Sequence, residues 1–490
     1  MLKKADCTPA TSADSMANHA SLRNRQKEQV REAIGRLRGF DLADRLDLVA
    51  FLEYCSYVSA NADAFGIEEF DTRYSIDEVS HNLGNEYLAT DFVEYYAGLC
   101  SKNPTLPDLR GIAFRTNDLS KAIFSSVTLG TISSNFMVDN DGMVALSAWY
   151  SLAGFYSSDV MEKQELELCS APSIANLVIR LADVSGMSVL DFACGNGIYL
   201  STALANGASS ICGRDTNDRA VMRAKILCFF ANTTAPSDIA VANALTSAPS
   251  IASAQRVVVA PPLGVRLKAF DIQERDYYTN VVSSLVGERT LGEIDFEDFC
   301  AAKALASLSD DGKAIIHVSS SFLFRQQKSR QTIRRAIIEG GYLRTVIELP
   351  GGCISGARMK SALLIIEKEP TDEGVLIVDL DSKDLADKGY VSKGRGRCEI
   401  TEAGIDWLSK TVERRDEIPL VSTVAGRDRI LASGSNLCYS TYGDVFDYET
   451  ILDETRSTQD IMGDIRAAQA SIDSLGEQIA DILNSIEKKG

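Results

Sequence analysis

The run Ser188-Val189-Leu190-Asp191-Phe192-Ala193-Cys194-Gly195-Asn196-Gly197 decides how the chain reads. A short apolar stretch ends in an acid, a tight Gly-x-Gly turn follows, and Ile198 to Asn206 then reads as a helix. Open α/β sheets cradle cofactors where a strand enters such a turn ahead of a helix N-terminus. Glycine lets the backbone approach a ligand closely, and the helix N-terminus favours polar or anionic groups. The plainer alternative is a strand-to-helix turn with no ligand. A dinucleotide fingerprint would carry a third glycine close behind, but Ile198, Tyr199 and Leu200 fill that stretch. The acidic strand end points instead to S-adenosylmethionine (SAM).

Working outward, Ser170-Ala171-Pro172 opens a helix through Ile174, Leu177, Val178 and Leu181 just upstream. Downstream, strand and helix alternate as a doubly wound sheet requires. Ile211 to Asp215 is the second strand, and Asp215 closes it about 20 residues past the turn, where a ribose-binding acid belongs. Capping the helix Arg219 to Phe230 is the alternative role. Ile239 to Val241 is the third strand. Asn243 beyond it either meets the edge of an adenine or makes an Asx turn. Arg256 to Val259 runs straight into Ala260-Pro261-Pro262-Leu263-Gly264. Phe296 to Leu308 reads as a helix, Asp310-Asp311-Gly312 as a turn, and Ala314 to Val318 as a strand. A helix over Ile333 to Glu339 precedes strands at Thr345 to Leu349, Ala362 to Glu367 and Leu376 to Leu380. Lys393 to Arg397 is a basic, glycine-rich stretch that either touches phosphate or forms a loop.

The flanks differ in kind. Residues 1 to about 20 read as a polar tail. Leu22 to Leu37 and Asp41 to Ser59 carry helical periodicity, and helices continue to about Phe155, with a turn at Asp139 to Gly142. At the other end, Ile461, Ile465, Ala468, Ile472, Leu475, Ile479, Ile482 and Ile486 form a heptad seam. Such a seam needs a partner helix, supplied by another protein or by this chain's own helical region.

Composition narrows the function. The chain has 490 residues, 45% hydrophobic and 24% charged, with a net charge of −18. A protein that gripped nucleic acid alone would carry a basic patch or stripe, so any DNA contact must be local or come through a partner. The 11 cysteines show no Cys-x-x-Cys pair, which argues against a metal site and for buried thiols in a reducing compartment. The three histidines, His19, His81 and His317, lie too far apart to suggest a catalytic pair. No apolar run follows Lys3 and Lys4, and none approaches the ~18 residues of a membrane span. The expectation is a cytoplasmic protein.

Taken in order, these pieces resemble the modification (methyltransferase) subunits of type I restriction-modification systems, which are amino-methylating adenine DNA methyltransferases. Asp191-Phe192-Ala193-Cys194-Gly195-Asn196-Gly197 is similar to their motif I, and Ser170-Ala171-Pro172 to their pre-motif segment. Asp311 to Ala314, Leu323 to Arg325, Val346 to Pro350, Leu363 to Ile366 and Val421 to Tyr442 resemble their later segments. The resemblance implies a class I SAM-dependent methyltransferase fold: α/β, Rossmann-like, with a mostly parallel seven-stranded sheet. It implies an α-helical N-terminal domain over 1–157, the methyltransferase domain over 158–385, a post-domain segment over 386–449 and a coiled-coil helix over 450–490. It implies SAM contacts at Ala171, Pro172, Asp191, Ala193, Cys194, Gly195, Gly197, Asp215 and Asn243, and a catalytic loop at Ala260, Pro261, Pro262 and Leu263. The partners it implies are double-stranded DNA, a specificity subunit on the C-terminal helix, and also a second copy or a restriction subunit.

That family's loop reads Asn (or Asp)-Pro-Pro-aromatic. Its polar side chain and first proline carbonyl accept hydrogen bonds from the amine of a flipped-out adenine, and the ring stacks on the base. Here Ala260 accepts nothing and Leu263 brings no ring, while Ala171 replaces the usual threonine. Phe270, Tyr277 and Tyr278 are the rings that follow in sequence. Two readings result: an adenine N6 methyltransferase, and a non-catalytic SAM-binding assembly or sensor subunit.

Overall fold

The computed structural model describes residues 27–37 (without 29 and 36), 42–81 (without 68), 86–110, 143–156, 170–245, 253–265, 272–287, 295–326, 328–354, 359–394 and 398–444. Beyond these it describes only Arg466 and Gln469. The polar tail over 1–20, the turn at 139–142 and nearly all of the heptad seam lie outside the described residues. The chain divides into two compact units, Met1–Tyr442 and Gly443–Gly490.

Nine strands build the sheet of the first unit: β1 (Ser188–Asp191), β2 (Ser210–Asp215), β3 (Ser237–Val241), β4 (Ala254–Val259), β5 (Leu308–Ser319), β6 (Leu343–Leu349), β7 (Ser361–Glu367), β8 (Val375–Asp379) and β11 (Ser422–Ala425). Their order is β11-β8-β6-β7-β5-β4-β1-β2-β3. β7 runs antiparallel between β5 and β6, and β11 antiparallel to β8; the other pairings are parallel. Strands β9 (Val391–Lys393) and β10 (Cys398–Ile400) form a separate antiparallel pair.

Two sequence expectations are corrected here. Among the described residues the sheet has nine strands rather than seven. The apolar run Val375-Leu376-Ile377-Val378 is fully buried, so it needs a neighbour on each side, and β6 and β11 supply them. Asp310 to Gly312 is not a turn before the strand but part of β5, taken up where the β4–β5 register slips between Ala254/Leu308 and Arg256/Lys313.

Side chains alternate between two cores, as strand pleating dictates. Val189, Val258 and Ile315 face one core, packed by helices α5 (Pro172–Ala182), α6 (Ile198–Ala205) and α7 (Asp218–Ala231). Leu190, Val257, Val259 and Ile316 face the other, packed by α8 (Ile272–Val286), α9 (Phe296–Ser307), the short α10 (Ser320–Phe324) and α11 (Lys328–Glu339). Both faces are covered, which is why Val257–Val259 of β4 and Ala362–Ile366 of β7 read as apolar runs.

The N-terminal helices α1 (Leu42–Ala60), α2 (Ile76–His81), α3 (Glu86–Gly98) and α4 (Met143–Tyr156) share the first core with α7. Phe229 packs edge-on against Tyr54 and Tyr57, at centroid distances of 5.3 and 5.9 Å. Asp47 and Arg223, both buried, form an ion pair at 2.6 Å. Arg219 joins Asp47 at 2.6 Å and Asp44 at 2.7 Å.

Candidate cofactor and substrate site

The chain builds β1, β2 and β3 outward in one direction, then returns to place β4 on the other side of β1. Sheets of this kind bind ligands at that reversal, outside the carboxyl ends of the strands. β1 and β4 pair through Leu190↔Val257, so Asp191 and Ala260 leave the sheet at the same edge.

The turn after β1 is held from within. Asp191 is 1% exposed and accepts a hydrogen bond from the Ala193 N–H at 3.0 Å. Burial, with the nearby Asp215 adding to it, pushes its carboxyl up to about 8. The Cys194 N–H reaches the Arg214 carbonyl at 2.9 Å, and the Gly197 N–H closes the turn on the Cys194 carbonyl at 2.8 Å. Gly195 and Gly197 have φ of +49° and +77°. A Cβ on Gly197 would stand 2.7 Å from the Ala224 Cβ, so this glycine also sets the approach of α6 to α7. A Cβ on Gly195 would meet nothing within 4 Å, which leaves open space in front of the turn backbone. The buried Cys194 thiol is pushed well above its usual range and is not a nucleophile.

Asp215, at the tip of β2, accepts from the Gly195 N–H at 2.8 Å and the Asn217 N–H at 2.9 Å. It therefore ties the glycine turn to the second strand. The cap of α7 is made by Asn217, whose side chain accepts from Arg219 and Ala220. Asn243 makes the Asx turn: its Oδ1 accepts from the Leu245 N–H at 2.9 Å, while its Nδ2 donates to Glu274 at 2.8 Å.

Ala171 caps α5 without a side-chain hydrogen bond, and Pro172 follows at the first helical turn. The segment is fastened by the Ala171 N–H to the Cys353 carbonyl at 3.3 Å and by a bridge from Ser170 to Ile354. Ser170 Oγ also lies 2.7 Å from the Tyr199 hydroxyl, and both face His317 Nδ1, at 3.4 and 3.3 Å. His317 Nε2 meets Ser361 Oγ at 2.9 Å. Burial lowers the imidazole to about 4, so it is neutral at physiological pH.

After β4, Ala260 is half-buried, Pro261 buried, Pro262 exposed and Leu263 half-buried. The loop is clamped by α9. The Val265 carbonyl accepts from the Phe296 N–H at 2.9 Å, and the Gly264 N–H donates to Glu297 Oε2 at 3.4 Å. Glu297 is 0% exposed and also accepts from Ser319, through its N–H at 2.5 Å and its hydroxyl at 3.1 Å. One carboxylate thus ties the β4 loop to the end of β5. The Tyr277 ring packs on Phe299 and Lys303. Phe270 and the side chain of Tyr278 lie outside the described residues.

The sequence reading missed Glu297, Lys303 and the Ser170–Tyr199–His317–Ser361 cluster. A signal existed: Glu297, Asp298 and Lys303 break an otherwise apolar helix at positions with no room for solvent.

The fold and the turn define an open, doubly wound α/β protein with a cofactor-type loop at its strand reversal. The chain belongs to the N-6 DNA methylase family, whose sequence model matches residues 161–450. Its structure is similar to the methyltransferase subunit of a type I restriction-modification system from Streptococcus thermophilus, with a TM-score of 0.67 and 15% identity over 87% of this chain and 100% of that one. It is also similar to a chain from a structural study of type I restriction-modification assembly and conformational transition, with a TM-score of 0.60 and 16% identity over 94% and 98% of the two chains. A third likeness is to the type IIG restriction endonuclease BpuSI, with a TM-score of 0.53 and 13% identity over 83% of this chain and 45% of that one. Among the described residues, no helix is long and apolar enough to cross a membrane, and no cluster has the makings of a metal site.

Proposed function

We propose that this chain is the modification subunit of a type I-like restriction-modification system, transferring a methyl group from SAM to adenine N6 in double-stranded DNA. The observation that carries the reading is the linked pair of loops: the Asp191–Gly197 turn tied to Asp215, with the Ala260–Gly264 loop leaving the next strand at the same edge. SAM, when bound, supplies an electrophilic methyl group on a sulfonium. The open space before Gly195 and the free edge of the turn suit such a ligand. Asp215 holds the ribose hydroxyls, the Asn243 loop flanks the adenine, and Ala171 with Pro172 closes the site from the far side.

The target base enters opposite, flipped out of the duplex. The Pro261 carbonyl accepts from its exocyclic amine, and Glu297 keeps the loop in place through Gly264. Catalysis of this type is mostly positioning. Recognition of the DNA sequence belongs to a separate specificity subunit, docked on the heptad helix over 450–490, with a second copy and a restriction subunit as further partners. The division at 157, 385 and 449 and a cytoplasmic setting belong to the same proposal.

Ala260 and Leu263 favour a second reading, a SAM-binding assembly or sensor subunit without catalysis. By analogy with a lost oxyanion donor, one missing acceptor costs roughly 10²–10³ in rate. Transfer of label from SAM to unmethylated DNA, by this chain with its specificity partner, separates the two. The methyltransferase reading expects label in DNA, rising in the double variant Ala260→Asn, Leu263→Phe. SAM binding by calorimetry with label only from the double variant would favour the second.

A further inference from the structure

Helix α9 is largely apolar, yet it buries Lys303 at 2% exposure. The ammonium lies over three rings, 5.1 Å from the centroid of Phe192, 5.2 Å from Tyr277 and 5.6 Å from Phe299. It also donates a hydrogen bond to the Ala244 carbonyl. Bringing an ammonium this far from water is costly, and ring faces together with a carbonyl offset that cost.

The partners say what the arrangement is for. Phe192 sits inside the cofactor-type turn, between Asp191 and Ala193. Ala244 follows Asn243 in the loop after β3, which is pinned on its other side by Glu274 of α8. One cation thus spans the two loops that flank the outer, adenosine end of a site at this edge of a doubly wound sheet. We propose that Lys303 is a positioning residue of the adenosine subsite, holding the Phe192 turn and the Asn243–Ala244 loop at the separation an adenine ring requires. This rests on the SAM reading above, and it assigns Lys303 no contact with the ligand itself.

Burial lowers the Lys303 ammonium to about 8. Cys300 on its own helix acts on it and the Tyr277 ring of α8 faces it, while Asp191 at the end of β1 and Glu297 and Asp298 of α9 act on Cys300 in turn, with Glu274 one hydrogen bond further off. The Cys300 thiol and the Tyr277 phenol are both pushed up by burial and stay neutral. β4 and β5 contribute apolar side chains to this core (Val257, Val259, Ala314, Ile316), and Arg334 of α11 acts on Asp298. Asp191 titrates in the same range, so the effect of Lys303 is read as the difference between two pH profiles.

The test is calorimetric titration of the full chain with SAM and with S-adenosylhomocysteine, for the wild type, Lys303→Met and Tyr277→Leu. Lys303→Met should weaken both ligands equally, about tenfold near pH 7, with its melting temperature kept or raised because an apolar group replaces a buried charge. The gap to wild type should close toward about pH 9.5 as the wild-type ammonium loses its proton. Tyr277→Leu, which removes one ring of the cage, should weaken both ligands less. Unchanged affinity in both variants, or a loss confined to SAM, would overturn the proposal while leaving the SAM reading intact. A lowered melting temperature with a gap that does not depend on pH would reduce Lys303 to a packing residue and overturn it too. If Lys303→Met does not fold, Tyr277→Leu decides. Absence of SAM binding by the wild type would overturn both readings.

Discussion

Asp191 carries a proton that an exposed aspartate would have lost. Its folded pKa of about 8 lies above the ordinary 3.8, so the native state binds the extra proton. Its contribution to stability is present below about pH 4 and is lost as pH rises toward 8. A cationic ligand over the turn favours the carboxylate, so SAM binding should release a proton between about pH 5 and 8. Calorimetry in buffers of different ionisation enthalpy measures this, and Asp191→Asn should remove it; a binding enthalpy indifferent to the buffer would refute it. Asp191, Gly195, Gly197 and Asp215 were legible in the sequence because backbone demands leave a mark. A positive φ selects glycine, and the tight turn after β1 selects acids whose carboxylates accept from its backbone N–H groups. The roles of Glu297 and Lys303 were legible only as an interruption of an apolar helix, and that of His317, inside strand β5, not at all. A charged residue in a helix pattern reads as solvent-facing, and only tertiary packing reveals that it is buried.

Between elements, a buried ion pair joins α1 to α7. Arg223 is 1% exposed and held by Asp47 across 176 positions of sequence. Asp47→Ala strips the partner from a buried guanidinium, which costs about 3–5 kcal/mol. Denaturant titration should read that loss, whereas Arg31→Ala, at an exposed pair, should change stability by less than about 1 kcal/mol. A loss under about 1 kcal/mol for Asp47→Ala would show that the joint is not structural. The order of strands and helices was readable from periodicity, since buried parallel strands and amphipathic helices differ in period. The ninth strand was not: Ser422–Ala425 is too short to show a period, and it becomes a strand because β8 offers an edge. Asp310-Asp311-Gly312 likewise suggested a turn, where a register slip within β5 takes up the extra residues instead.

For the molecule as a whole, the proposed function must meet DNA with a net charge of −18. Each phosphate contact adds roughly −0.9 to the slope of log affinity against log salt. The chain alone should bind duplex DNA weakly with a slope shallower than about −3, and the slope should steepen once the proposed specificity partner joins. Fluorescence anisotropy from about 50 to 200 mM salt reads it. A slope beyond about −6 from the chain alone would show that this acidic protein carries its own DNA-binding face.

The sheet's margins bear on a different matter, how the chain keeps apart from its own copies. Among the described residues the sheet ends at β11 and β3, and an edge strand with unpaired backbone groups is a template for another chain. On β11 the Ser422 N–H and carbonyl already pair with Ile418, and the Val424 N–H donates to Glu417. Both margins are short: β11 has four residues and β3 five. β3 starts with exposed Ser237 and Asp238, the latter held by Arg214 at 2.7 Å. Brevity and charge at the rims protect against edge-to-edge aggregation. Colloidal persistence is thus built into the outermost strands, far from any chemistry at the centre.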